Sequence, residues 1–184
     1  MFKSTDLFYQ QIINGILSMG DEVETRNGTI KKYFNVSAKF SPDMTPLVSV
    51  RKTAWKQALL EMEWFLSGSN SIEDLDESVR DWWEPWVDKR GGTFDYLYGH
   101  QLRNFGTGFD QVQTLIDSLK SDPQSRRHVL TTWNPEEMPK ASLPTCHGTI
   151  MHFDVAEDSQ TLNYFMYQRS ADIVLGVPHN WVQH

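Results

Sequence analysis

Two alternating runs late in the chain limit the fold most. Thr149, Met151, Phe153 and Val155 fall on one side of an extended segment, and Leu162, Tyr164, Met166 and Gln168 do the same, the two-residue period of a strand. The polar stretch Glu157-Asp158-Ser159-Gln160 joins them, so they predict a β-hairpin. Three other segments carry a helical period instead. Leu7, Phe8, Ile12, Ile13, Ile16 and Leu17 share one face of residues 6–20, stopped by Gly20. Ala54, Ala58, Leu59, Met62, Phe65 and Leu66 do so between Thr53 and Leu66, with Gly68 as cap. Phe109, Val112, Leu115, Ile116 and Leu119 mark a shorter helix ended by Ser121-Asp122-Pro123.

Two more strands are expected. One runs from Ile30 to Phe40 with Ile30, Phe34, Val36, Ala38 and Phe40 on one face, after which a turn rich in Pro and Asp leads to the second helix. The other is a buried run from Val129 to Trp133. Residues 69–108 hold Trp82, Trp83, Trp86, Gly91 and Gly92 without a clear period, which predicts an irregular insertion over a cleft. The expected class is α/β of the α+β type, a mixed β-sheet with packed helices. No repeat, low-complexity tract or linker divides residues 1–184, so one domain is expected.

With 184 residues, 39% hydrophobic and 12% aromatic, the chain can bury a core and is not a disordered polymer. No apolar run approaches the ~18 residues of a membrane span, and the N-terminus has no secretory pattern. A soluble, cytoplasmic protein is the expectation. A net charge of −7 argues against binding driven by global charge to nucleic acid or an anionic membrane. One cysteine makes neither an intramolecular disulfide nor a multi-thiolate metal site, and no metal is expected.

That cysteine, Cys146, lies in Leu143-Pro144-Thr145-Cys146-His147-Gly148 at the start of a strand. A free cysteine is most often a small core residue. Beside cations, its thiolate is a nucleophile able to attack an electron-poor carbon. His147 decides little, because neighbouring strand residues point to opposite faces. Arg126-Arg127 precedes a strand; such a pair is usually a solvated face, although guanidinium groups match phosphate by bidentate bonding. Gln168-Arg169-Ser170-Ala171-Asp172 offers a second phosphate-type site, and Asn180 a donor and an acceptor for a base edge.

Taken together, Ser125-Arg126-Arg127, Leu143-Pro144-x-Cys146-His147 and Tyr167-Gln168-Arg169-Ser170-x-Asp172-x-x-Leu175-Gly176-x-Pro178-x-Asn180 resemble, in order and spacing, the thymidylate synthase family, which methylates deoxyuridylate (dUMP) with folate. Upstream, Arg26-Asn27-Gly28-Thr29 resembles its phosphate loop, and Glu61-x-x-Trp64-Phe65-Leu66-x-Gly68 its helix with a catalytic glutamate. Trp83-x-x-Trp86 and Tyr98-Gly99 resemble its active-site segment.

The resemblance implies that Cys146 adds to C6 of uracil, which turns C5 into a nucleophile for the one-carbon unit of 5,10-methylenetetrahydrofolate. It implies proton management by Glu61 with Tyr98 assisting. Arg26, Arg169 and Ser170 would hold the phosphate, with Gln168 in the same substrate segment. Asn180 would accept from uracil N3–H and donate to O4. Asp172, counted with Cys146, Glu61 and Tyr98 among the catalytic residues, and Trp83 would face the folate. Arg126 and Arg127 would cross to the partner's phosphate in a homodimer.

The chain departs from the family pattern in three places: His179 stands where an aromatic residue usually precedes the uracil-reading Asn, Leu102 where Trp is usual, and Asp95-Tyr96-Leu97 before Tyr98. These changes line the pocket. They keep open a related reaction in which water captures the exocyclic carbon to give 5-hydroxymethyl-dUMP. The family pattern also continues past Asn180 with a long helix, further strands, a His/Tyr pair for the ribose and a C-terminal lid, so the chain is expected to lack the family's C-terminal portion. A non-catalytic, nucleotide-binding or dimerising remnant is the third expectation.

Overall fold

The computed structural model describes residues 4–26, 28–41, 43–158 and 160–184. Helix α1 (Thr5–Met19) buries Phe8 and Ile12 of its expected stripe together with Tyr9, which was not part of it, while Leu7 and Leu17 of that stripe are exposed. Strands β1 (Asp21–Thr25) and β2 (Gly28–Lys32) follow as an antiparallel hairpin. The strand expected over 30–40 therefore ends at Lys32. Asn35 adopts φ 65°, a left-handed conformation that interrupts extended backbone, and Phe34 is 83% exposed. Phe40 instead packs edge-on against Phe8 and Trp181. Strand β1 escaped notice because all its residues are exposed, so burial leaves no alternation in Asp-Glu-Val-Glu-Thr. The turn expected after Phe40 includes Pro42, which lies outside the described residues.

Helix α2 (Trp55–Ser67) ends at Gly68, φ 81°, as expected. Its buried face holds Ala58, Glu61, Trp64 and Phe65, while Leu59 and Leu66 from the expected stripe are almost half exposed. Segment 69–108 is not an insertion. It contains α3 (Glu77–Trp83) and α4 (Tyr98–Arg103), with short 3-10 turns at Ile72–Asp74 and Glu84–Trp86. Its Leu75, Val79, Trp83, Phe94, Leu97 and Leu102 form much of the main core. Helix α5 (Gln111–Ser121) starts after Asp110, whose carboxylate accepts from the Gln113 N–H. Phe109 consequently lies outside the helix, 53% exposed.

Strands β3 (Val129–Thr131), β4 (Ile150–Val155) and β5 (Leu162–Tyr167) form an antiparallel sheet in that order. The hairpin of β4 and β5 is as expected, with Ser159 of its turn outside the described residues. Strand β3 is shorter than expected, and of its three residues only Leu130 is buried, because Val129 and Thr131 point to the outer face of the sheet. Leu130, Met151 and Met166 line up across the inner face and meet the helical core. On the opposite face Val129, Ile150, Phe165 and Tyr167 are exposed. Helix α6 (Gly176–Gln183) packs on α2, while its Trp181 stacks on Phe8 of α1. The arrangement is the expected α+β one. Among the described residues no helix is long and apolar enough to cross a membrane.

Helix α4 crosses the end of α2 at Gly99, where a Cβ would lie 2.8 Å from the Ser69 carbonyl oxygen and 3.1 Å from the Gly68 carbonyl carbon. Backbone cannot rotate aside as a side chain can. Gly99→Ala is expected to destabilise the protein by ~1–3 kcal/mol in urea denaturation. Gly15, inside α1 with 3.7 Å of clearance, is the control: Gly15→Ala should stabilise by ~0.5–1 kcal/mol.

Candidate active site

Cys146 sits half-buried in the segment that leads into β4. Thr145 before it is buried, its hydroxyl donating to the Thr132 carbonyl at 3.2 Å. The Arg169 N–H donates to the Cys146 carbonyl at 2.9 Å. The Arg169 guanidinium closes over the same segment, donating from Nε to the Thr145 carbonyl (2.7 Å) and from Nη2 to the Pro144 carbonyl (3.1 Å). It lies 5.0 Å from the centre of the Trp133 ring. A permanent positive charge thus rests against the chain that carries the thiol.

Tyr98, at the first turn of α4, meets Cys146 from the other side. Its oxygen accepts the Cys146 N–H at 2.8 Å and the His147 N–H at 3.5 Å, and its O–H points to Sγ at 3.5 Å. Burial, reinforced by the neighbouring Cys146, pushes the phenol well above its ordinary pKa of 10.0. It therefore keeps its proton and serves as a donor. Phe65 stacks on Tyr98 at 4.4 Å, and Trp83 meets Phe65 edge-on at 5.8 Å.

Trp83 links this cluster to Glu61. Its indole N–H donates to Glu61 Oε1 at 2.5 Å, and Gln183 Nε2 donates to Oε2 at 2.5 Å. Glu61 is 8% exposed. Burial raises its pKa from the usual 4.5, against the two hydrogen bonds that lower it.

His147 does not contact the thiol as a base. Its ring stacks on Tyr98 at 4.7 Å, and its Nδ1 is 2.8 Å from His184 Nε2. His184 Nδ1 is 2.7 Å from the Tyr164 hydroxyl. Burial raises the Tyr164 pKa, so the phenol keeps its proton, and His184 bridges Tyr164 and His147 through its two ring nitrogens. Burial, then the neighbouring His184, lowers His147 to about 3; burial lowers His184 to about 4. Both imidazoles are neutral near pH 7.

The other sequence candidates occupy different settings. Asn180 is 7% exposed on α6, its amide nitrogen beside Gly176. The Asp172 carboxylate accepts from the Val174 and Leu175 N–H groups, both at 2.8 Å, and so shapes the turn before α6. Gln168 donates to the Ser170 carbonyl at 3.0 Å, and Ser170 is exposed. Trp83 is 5% exposed and offers its edge to Glu61 more than a face to solvent. Trp82, 37% exposed, stacks on His179 at 5.2 Å. Arg126 and Arg127 are exposed before β3, and Arg26 in the β1–β2 turn; Asn27 of that loop lies outside the described residues. Among the described residues none of these three arginines has a hydrogen bond or ion pair joining it to the Cys146 cluster.

Gln183 and His184 were not apparent from the sequence as parts of the site. A spacing of three residues puts Gln183 on the helix face of Asn180, which was the available clue. His184 depends on long-range packing. Among the described residues no cluster of three or more His, Cys, Asp or Glu is placed to hold a metal.

The neutral histidine pair makes stability depend on pH. Unfolded, each His takes up a proton near pH 6.5, whereas in the fold they resist protonation down to about 3 and 4. Their contribution is present above pH 6.5 and is lost as pH falls through that window. His184→Gln should give a shallower decline of the urea midpoint between pH 6.5 and about 4 than the parent chain.

A thiol, a protonated phenol and a buried carboxyl on one network of contacts are the groups that covalent addition to a ring and proton transfer require. A family model, Thymidylate synthase, matches residues 7–184, and the chain therefore belongs to the thymidylate synthase family.

Proposed function

We propose that this chain transfers the one-carbon unit of methylenetetrahydrofolate to C5 of dUMP with reduction to dTMP, through a covalent bond to Cys146. The observation that carries the reading is the continuous set of contacts from Cys146 through Tyr98, Phe65 and Trp83 to the Glu61 carboxyl. Bound methylenetetrahydrofolate supplies the one-carbon unit and the hydride.

The chain's own groups do the rest. Attack of the Cys146 sulfur forms the S–C6 bond and moves the C5=C6 electron pair toward C5 and O4. After C5 has bonded to the one-carbon unit, loss of the C5 proton supplies the electron pair that breaks the bond from that carbon to the folate nitrogen and leaves an exocyclic methylene. Hydride addition to the methylene then re-forms C5=C6 and expels the Cys146 thiolate. Arg169 sets its permanent positive charge against the segment that carries Cys146. Tyr98 donates toward Sγ, and Glu61, raised toward neutrality by burial, holds and releases the proton through ordered water. Asn180 presents an acceptor to N3–H and a donor to O4. Cytosine has the reverse pattern there and would leave buried groups unpaired at a cost of ~1–3 kcal/mol.

Arg169, Ser170 and Arg26 are the proposed phosphate ligands, with Gln168 supporting the Ser170 turn. Asp172 supplies an acceptor for pterin N–H groups, and Trp83 borders the folate. Arg126 and Arg127 come from a second copy. The outer face of β3, β4 and β5 supports that copy as the partner, since Val129, Ile150, Phe165 and Tyr167 are exposed there around His152. A second reading, 5-hydroxymethyl-dUMP as product, is favoured by His179, a polar ring stacked on exposed Trp82 where the family has an aromatic residue.

Incubation with 5-fluoro-dUMP and methylenetetrahydrofolate should add one covalent adduct, mapped by mass spectrometry to Cys146 and absent from Cys146→Ser. A folded parent without adduct overturns the reading. Glu61→Gln should lower turnover by ~10²–10⁴-fold, and chromatography of the product decides between dTMP and its hydroxymethyl analogue. Phe165→Glu should give a monomer in sedimentation and weaken dUMP binding. A persistent dimer would remove the outer sheet face as the interface.

A further inference from the structure

We propose that Gln183 is a positioning residue that holds Glu61 as an oriented carboxylate, by donating from one side-chain nitrogen to both the Glu61 carboxylate and the backbone of the helix that carries it. This rests on the proposed function only for its consequence in turnover.

Gln183 Nε2 lies 2.5 Å from Glu61 Oε2 and 3.1 Å from the Ala58 carbonyl oxygen. Both partners are acceptors. A flipped amide would set its own carbonyl against two oxygens, so the orientation is fixed by the site and Gln183 can only donate. Ala58 and Glu61 are three residues apart on α2, so the amide spans one turn and fixes the carboxyl relative to its own backbone. Trp83 holds the other oxygen at 2.5 Å. With one donor on each oxygen, the carboxyl cannot rotate without losing a bond. Removing Gln183 removes the donor that α6 supplies.

The remaining surroundings add no competing charge. The titratable groups on elements packed against α2 are Glu77, Arg80 and Asp81 on α3, and Tyr98, His100 and Arg103 on α4. Helix α6 brings His179, followed by His184, and α2 itself carries Lys56 and Glu63. The forces on the Glu61 proton are burial and the Trp83 and Gln183 bonds, with no charged neighbour among them.

Trp83 supplies a probe that needs no turnover, because its indole N–H donates to the carboxyl. In uniformly ¹⁵N-labelled protein without ligand, the Trp83 indole resonance, assigned with Trp83→Phe, is followed from about pH 4 to 9. The Gln183 side-chain amide should titrate with the same midpoint. In folded Gln183→Met or Gln183→Leu the indole midpoint should rise by about one to two pH units, the effect of losing a donor to a charged acceptor. An unchanged midpoint in a folded variant overturns the proposal. A parent amide that fails to follow the indole overturns it too, which keeps the test decisive if neither variant folds.

Tritium release from C5-labelled dUMP should show the acid limb displaced upward by the same amount in the variants. A shifted indole midpoint with no turnover in the parent would leave Gln183 as the holder of Glu61 and sink the proposed reaction instead.

Discussion

The buried Glu61 carboxyl is the constraint around which the surrounding helices are arranged. An ionisable group in the middle of a packed helix face is strongly unfavourable unless donors meet it. Here they arrive from two directions, the Trp83 indole at the end of α3 and the Gln183 amide at the end of α6. Satisfying one carboxyl therefore fixes both helices against α2. Segment 69–108 is drawn into the core because Trp83 must reach Glu61, and its ring then meets Trp64, Phe65 and Phe94 edge-on.

The second dependence runs through Tyr98. Its oxygen receives two backbone N–H groups from the Cys146 segment that leads into β4, while its ring is held between Phe65 and His147. The phenol thus fixes the thiol's segment and remains protonated beside it. The histidines complete the separation of roles. His147 and His184 are held neutral and bonded to one another, so neither offers a cation to the thiol at neutral pH. The permanent positive charge comes from Arg169.

Local patterns were legible where burial imposes a period. The β4–β5 hairpin, α1 and the Gly68 cap of α2 read directly, because one face of each regular element must be apolar or a stop residue must follow. Strand β1 was invisible because neither face is buried, and the strand expected to Phe40 failed because Asn35 turns the backbone. Segment 69–108 misled for a different reason: its short helices present too few turns for a stripe to emerge, although Leu75, Val79 and Phe94 are among its most buried residues. The family motif singles out Cys146, Glu61 and Tyr98, which the fold brings onto one set of contacts. Gln183 and His184 were not, since their roles depend on which helix end lies opposite them.

Arg169 shows why a residue's type can be read from sequence while its task needs the fold. As an isolated motif it reads as a candidate phosphate ligand. In the structure its Nε and Nη2 already clasp the carbonyls of Thr145 and Pro144, so only part of the guanidinium is left for an anion. On the proposed reading, the same planar group would then hold the nucleotide's phosphate and the segment bearing Cys146. An arginine can do both because its donors diverge in a fixed plane, whereas a lysine ammonium on a flexible stem cannot reproduce that geometry. Substrate anchoring and placement of the sulfur would then share one rigid group, and displacement of the phosphate would be felt at the thiol.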